Sequence, residues 1–152
     1  MMRLIAVGRM KDANEKALVA RYVKRLNPSL TITELSDGRG SPAEIKRREG
    51  EAILAALPER AFVVALDLDG KTPTSEAFAA QLNCWIEEGQ QICFLIGGAE
   101  GLDAPVVKRA NALLSLGSFT WPHMLVRIML VEQLYRARAI TSGHPYHRSG
   151  RP

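Results

Sequence analysis

The stretch FLIGGAEGLD, Phe94 to Asp103, places three glycines (Gly97, Gly98 and Gly101) within five positions, directly after an apolar run. Glycines that follow a buried strand mark a point where something approaches the backbone closely. A phosphate-cradling loop needs a lysine and a serine or threonine after its glycines, and this loop offers Glu100 and Asp103 instead. It also comes too late in the chain, and with the wrong spacing, for a dinucleotide fingerprint on a first strand. A ligand with a purine and a ribose but no phosphate suits it better, since glycines leave backbone N–H and C=O groups open to an adenine. The alternative is a tight turn with no ligand.

A second group of residues lies near the end, in HPYHR, His144 to Arg148, with Arg136 and Arg138 before it. Histidine and tyrosine rings can stack on an unpaired base while arginines hold phosphates. No Ser-His-Asp grouping, paired-carboxylate motif or metal-ligand spacing stands out. Asp67 and Asp69 sit in a turn, where capping and solvation are the expected roles. Cys84 and Cys93 have neither metal-like nor redox-like spacing, and read as free thiols on a helix and a buried strand.

The elements that must position these residues alternate. RLIAVGR, LTITEL, AFVVALDLDG, QICFLIGG and ALLSLG read as strands. The third and fourth are nearly unbroken apolar runs, as in parallel strands buried on both faces. Between them, DANEKALVARYVKRL has helical spacing, with Leu18, Val19, Tyr22, Val23 and Leu26 apolar. Ser41, Pro42 and Glu44 start a second helix that runs to about Leu57. TSEAFAAQLNCWIEEG, LDAPVVKRAN and the long WPHMLVRIMLVEQLYRARAI complete the set. This is the pattern of one α/β domain, residues 1–152, built as a three-layer sheet. Ligands bind such sheets at the carboxyl ends of strands. Leu66, Gly97 and Leu116 stand at three such ends, and their loops converge if the strands are neighbours. The last helix is apolar on nearly every side, and a single small sheet covers one face only, so a homodimer with this helix in the interface is expected. Glu132 and Arg136 on it are one turn apart and able to pair. The tail TSGHPYHRSGRP has too few apolar residues to pack alone and is expected to be frayed or held by a partner.

Net charge is +4, and its distribution says more than its total. From Pro105 onward seven Lys and Arg face the single acid Glu132, a net of +6 against −2 for residues 1–104. A basic end on a nearly neutral body points to a polyanionic partner such as nucleic acid. No apolar run approaches the ~20 residues of a membrane helix, and no signal peptide is read at the N-terminus. A cytoplasmic location is expected.

Taken together, LDLDGKTPTSEAFA, FLIGGAEGLD, LSLGSFTWPHMLVRIMLVEQLYRA and HPYHR resemble the RlmH family, SPOUT-class methyltransferases of large-subunit ribosomal RNA, over nearly the whole chain. The resemblance implies transfer of a methyl group from S-adenosylmethionine to N3 of a pseudouridine in 23S rRNA within the assembled ribosome. It implies a homodimer and a C-terminal trefoil knot, an exception to the rule against knotted chains. Carried over by motif, the cofactor contacts are Leu66, Gly98 and Gly117, Ser118, Phe119, Thr120, Trp121 and Pro122, with Gly97 and Leu116 close by. Glu100 is expected to tolerate the sulfonium charge. No metal is implied. His147 and Arg148, with Tyr146, are expected to place or polarise the acceptor base, supported by Arg136, and action on the partner's cofactor in the dimer is left open. His123 is open between a structural and a cofactor-side role. Trp121 departs from the usual pattern, where a smaller apolar residue precedes the Pro-His pair, and Ser149 to Pro152 extend past the usual ending. Two rival readings are a non-catalytic RNA-binding ribosome-associated factor and an oxidoreductase using a dinucleotide.

Overall fold

The computed structural model describes residues 1–150. Five strands, β1 (Met2–Val7), β2 (Leu30–Leu35), β3 (Phe62–Lys71), β4 (Ile92–Ile96) and β5 (Ala112–Leu114), form one sheet in the order β2-β1-β4-β3-β5. Every pairing is parallel. The apolar runs explain the order. β1 and β4 are buried over almost their whole length and lie inside the sheet, whereas β2, half of it exposed, takes an edge.

Alternate residues serve opposite faces. Leu4, Ala6, Val64, Phe94 and Ile96 pack beneath α1 (Ala13–Val23), α3 (Ser75–Glu87) and α5 (His123–Ser142). Ile5, Val7, Val63, Ala65, Cys93 and Leu95 pack beneath α2 (Pro42–Ala56) and α4 (Ala104–Arg109). The result is the expected three-layer α/β arrangement. Local chemistry sets the helix starts. Asp12 accepts from the Asn14 and Glu15 N–H groups at 2.9 Å, Ser41 from Glu44 at 3.3 Å and Thr74 from Ala77 at 3.1 Å. Pro122 precedes α5 as its cap instead of lying inside the first turn, and β5 is shorter than ALLSLG. Cys84 is on α3 and Cys93 is buried in β4, both free.

β3 does not run straight to its end. Leu66 and Lys71 both pair with Leu114, so the residues between them bulge out of the ladder. Asp67 Oδ1 accepts the Asp69 N–H at 2.9 Å inside that bulge, the capped turn that the sequence suggests. Gly70 returns the chain to β5, where a Cβ would stand 2.7 Å from the Leu113 and Leu114 backbone.

Two expectations about the C-terminal part need revision. α5 is flanked by α1 and α3 in its own layer, so one chain already buries Ile128, Leu130, Val131, Leu134, Ala137 and Ala139. The apolar periphery that the sequence reserves for a partner reduces to Leu125, 41% exposed, and the half-buried Met129. The tail is not frayed as far as His147. Gly143, at φ 74°, ends α5, His144 N–H bonds back to the Ala139 carbonyl at 2.9 Å, and Tyr146 and His147 then fold onto α5. The last two residues of the expected tail, 151–152, lie outside the described residues.

Candidate active site

Because β4, β3 and β5 are adjacent, their carboxyl-end loops converge as the sequence suggests. They enclose a cavity of about 410 Å³. β3 contributes Leu66, β4 contributes Gly97 and Gly98, and the segment after β5 contributes Leu116, Gly117, Phe119, Thr120 and Trp121. Ser118 and Pro122 belong to the same segment but do not line the wall. Gly117 is at φ +103°, with its N–H donating to Ser115 Oγ at 3.2 Å, and it turns the chain toward α5.

The three glycines after β4 are needed for different reasons. A Cβ on Gly97 would lie 2.9 Å from the Gly101 carbonyl carbon, a backbone atom that cannot swing aside. One on Gly98 would lie 2.8 Å from Glu49 Oε1. Gly101 itself is at φ +79°, which lets its N–H close onto the Gly98 carbonyl at 3.0 Å. The loop is thus a tight backbone ring whose glycines line the cavity.

The only fully charged side chains on the wall are Asp67 and Asp69, and neither lysine nor arginine lines it among the described residues. Glu100, the acid expected there, does not line it. His123 does, so its place is on the cavity side, and its ring also packs close to Gly8.

Glu49 was missed in the sequence. It is 4% exposed beneath Gly98, and its Oε2 accepts the Gly38 N–H at 3.2 Å while Oε1 has no partner among the described residues. Burial pushes its carboxyl up, the Gly38 N–H pulls it down, Asp37 and Glu100 add to the rise, and His123 opposes it. The signal was present, since Glu49 stands four residues from both Ile45 and Ile53, on the apolar face of α2.

The basic tail forms a separate cluster. Glu132 and Arg136 pair at 2.5 Å, as their spacing predicts. The Tyr146 hydroxyl donates to Glu132 Oε1 at 3.0 Å, and the Arg136 guanidinium sits 4.8 Å over the Tyr146 ring. Burial, then hydrogen bonds with Tyr22 and Glu132, push the Tyr146 phenol well above its ordinary range. His147 lies between Arg136, at 3.0 Å, and Glu76, at 2.9 Å. Arg148 is exposed. His123 at the cavity and Arg136 at the tail cluster are thirteen residues apart on α5, or about 20 Å along a helix axis. A second cavity, of about 630 Å³, has Leu116 and Gly117 of the first cavity's wall and Glu132 of the tail cluster on its own wall, and so joins the two. Between them Leu125, Met129, Glu132 and Arg136 share one face of α5.

No group of three or more histidines, cysteines or acids suited to a metal occurs, and no helix is long and apolar enough to cross a membrane, among the described residues. Two solved structures share the fold at low identity. One, described as "a probable methylase family protein from Haemophilus influenzae Rd KW20", matches with a TM-score of 0.57 and 10% identity over 99% of this chain and 72% of that one. The other, described as "putative methylase family protein from Neisseria gonorrhoeae", matches with a TM-score of 0.53 and 12% identity, over 96% and 95%. Curated relatives are much nearer. The protein of Gluconacetobacter diazotrophicus called ribosomal RNA large subunit methyltransferase H is 64% identical over 99% of both chains. Its namesake in Acidiphilium cryptum is 56% identical over 99% of this chain and 96% of its own. A family model described as "Predicted SPOUT methyltransferase" matches residues 1–147. With that match across almost its whole length, and with those relatives, the chain belongs to the SPOUT methyltransferase family, beside the proteins called ribosomal RNA large subunit methyltransferase H.

Proposed function

We propose that this protein transfers the methyl group of S-adenosylmethionine to N3 of a pseudouridine in 23S rRNA of the assembled ribosome, working as a homodimer in the cytoplasm. The observation that carries the cofactor is the cavity wall: glycine backbone, apolar side chains, two aspartates and no cation. That wall suits a cationic, phosphate-free adenosine compound and repels a nucleotide, which disfavours the dinucleotide reading. A cavity of about 410 Å³ also lies in the range of small-molecule sites. Leu66, Gly97, Gly98, Leu116, Gly117, Phe119, Thr120 and Trp121 would hold the cofactor, with Ser118 and Pro122 shaping the segment behind them. When bound, it supplies an electrophilic methyl group. The relatives' name supplies the rRNA, and the basic C-terminal part supplies charge to hold it. N3 of pseudouridine as the acceptor follows from the resemblance to the RlmH family.

The trefoil knot and the dimer belong to the same proposal. The chain leaves β5 at one sheet edge and enters α5 with His123 beside Gly8, at the end of β1, three strands away. A segment that crosses the β3 and β4 loops before α5, as a knot requires, would make that connection. Dimerisation through the Leu125–Met129 face would be isologous. Two α5 helices packed antiparallel across a two-fold axis would set the Arg136 end of each beside the His123 end of the other, bringing each tail toward the other subunit's cavity. His147, Arg148, Tyr146 and Arg136 would then act on the partner's cofactor site.

The first test is transfer of labelled methyl from S-adenosylmethionine to ribosomes that lack the modification, with free 23S rRNA alongside. Label in the RNA of whole ribosomes is expected. A protein that binds S-adenosylmethionine and RNA but transfers nothing would instead be a non-catalytic ribosome-associated factor. A further expectation concerns the loop. Gly97→Ala forces a Cβ against the Gly101 backbone, an overpacking worth about 1–3 kcal/mol, so S-adenosylmethionine should bind ~10-fold more weakly or worse by calorimetry. Unchanged affinity would mean that the glycine ring does not contact the cofactor.

A further inference from the structure

Glu76, in the first turn of α3, plays no part in the cavity, yet it touches the tail. The geometry around His147 fixes where its proton sits. Arg136 can only donate, and its Nη1 lies 3.0 Å from His147 Nδ1. A proton on Nδ1 would set donor against donor, so Nδ1 carries the lone pair. The ring proton is then on Nε2, which donates to Glu76 Oε1 at 2.9 Å. The bond from His147, then one from Ser149, hold the Glu76 carboxyl down to about 2. Glu132 in turn holds both Arg136 and the Tyr146 hydroxyl. Both nitrogens of His147 and the oxygen of Tyr146 are thus engaged within their own chain, and the next residue, Arg148, projects into solvent.

We propose that Glu76 is a positioning residue that accepts the Nε2–H of His147 while Arg136 donates to Nδ1, so that Tyr146 and His147 form a fixed strap presenting Arg148 to the acceptor base. This rests on the methyl-transfer reading above and assigns the tail's roles within it. His147, with its lone pair already taken by Arg136, is not the base. The N3 proton of the acceptor passes to water, and the Arg148 guanidinium stabilises the resulting anion. The N3 lone pair then forms the new bond to the methyl carbon as the carbon–sulfur bond breaks and its electrons remain on sulfur.

Alanine and glutamine at position 76 separate this from its rivals. A glutamine amide oxygen still accepts the Nε2–H bond, and alanine accepts nothing. Loss of the strap misplaces Arg148, so Glu76→Ala should lower kcat on ribosomes ~10- to 100-fold, with the dissociation constant for S-adenosylmethionine unchanged. Glu76→Gln should recover most of that loss. In ¹⁵N-histidine spectra of the wild-type protein, His147 should appear as the Nε2–H tautomer and should remain so in Glu76→Gln. Full turnover by Glu76→Ala would overturn the proposal. So would a Glu76→Gln variant as impaired as Glu76→Ala, which would make the charge, not the hydrogen bond, the active feature. A wild-type His147 protonated on Nδ1 would overturn it too, and that spectrum needs no activity. A wild-type protein that shows the expected tautomer but methylates no ribosomes would sink the methyl-transfer reading and leave the tautomer lock standing.

Discussion

Arg127→Ala should destabilise the protein by about 3 kcal/mol, at the lower end of what breaking a buried ion pair costs. Arg127 is 1% exposed within α5. It pairs with Glu34 at the end of β2, and its Nη2 donates to the Gly8 carbonyl at 2.9 Å and the Val7 carbonyl at 3.3 Å. Truncation leaves those carbonyls without their donor and opens a cavity beneath α5. Glu34, whose side chain is 34% exposed, can regain water, which keeps the cost from the upper end. The pH dependence has a definite sign. Burial raises the Glu34 carboxyl, but the Met10 N–H and then the hydrogen bond and charge of Arg127 outweigh it, so its folded value lies below the ordinary one. Stability from a depressed carboxylate is present above the unfolded value of about 4.3 and is lost as pH falls through the folded one. The gap between wild type and Arg127→Ala should therefore be widest near neutral pH and should shrink below about pH 4. Urea denaturation at fixed protein concentration measures it. A gap under 1 kcal/mol at pH 7, or one that widens in acid, would mean that this pair does not anchor the helix.

That anchor matters to the site because Arg127 fastens α5 to the strand ends only four residues after His123 reaches the cavity wall. Nothing local in the sequence marks it. Arg127 stands 93 residues from Glu34, and a lone arginine in an apolar helix carries no sign of its partner. The same holds for Glu76 and His147, 71 residues apart. What the sequence does make legible is whatever repeats locally. Apolar runs marked the buried strands, Asp12, Ser41 and Thr74 announced their helices, and the glycines after Ile96 announced a close approach of backbone. The convergence of Leu66, Gly97 and Leu116 followed once their strands proved adjacent. The tail was misread because composition counts apolar residues. It is held instead by one ring over a guanidinium and by hydrogen bonds among Tyr146, His147, Glu132, Arg136 and Glu76. The apolar girth of α5 has a related cause that no local pattern shows, since α1 and α3 flank it within the chain and cover more of it than the sheet alone.

The separation of cavity and tail leads to the other large effect. A Gly97→Ala subunit has a damaged cavity and an intact tail, and an Arg148→Ala subunit has the reverse. As pure homodimers, with S-adenosylmethionine kept well below its dissociation constant, each should transfer methyl groups poorly to ribosomes, the first by the ~10-fold or more of its weakened binding and the second by ~100-fold or more if the guanidinium stabilises charge in the transition state. Mixed and allowed to exchange subunits, they should regain activity. In the mixed dimer the intact cavity of one subunit faces the intact tail of the other, while the second site is doubly damaged. Half of the dimers are mixed and each carries one working site, so recovery should approach about a quarter of wild-type turnover per subunit. If a tail served its own cavity, every subunit in the mixture would carry one lesion in its own site, and no activity would return. Subunit exchange is verified separately with two tags, so a silent mixture containing mixed dimers would reject the shared site. Recovery would make a site shared between the two subunits a functional requirement, since only a mixed dimer then joins an intact cavity to an intact tail.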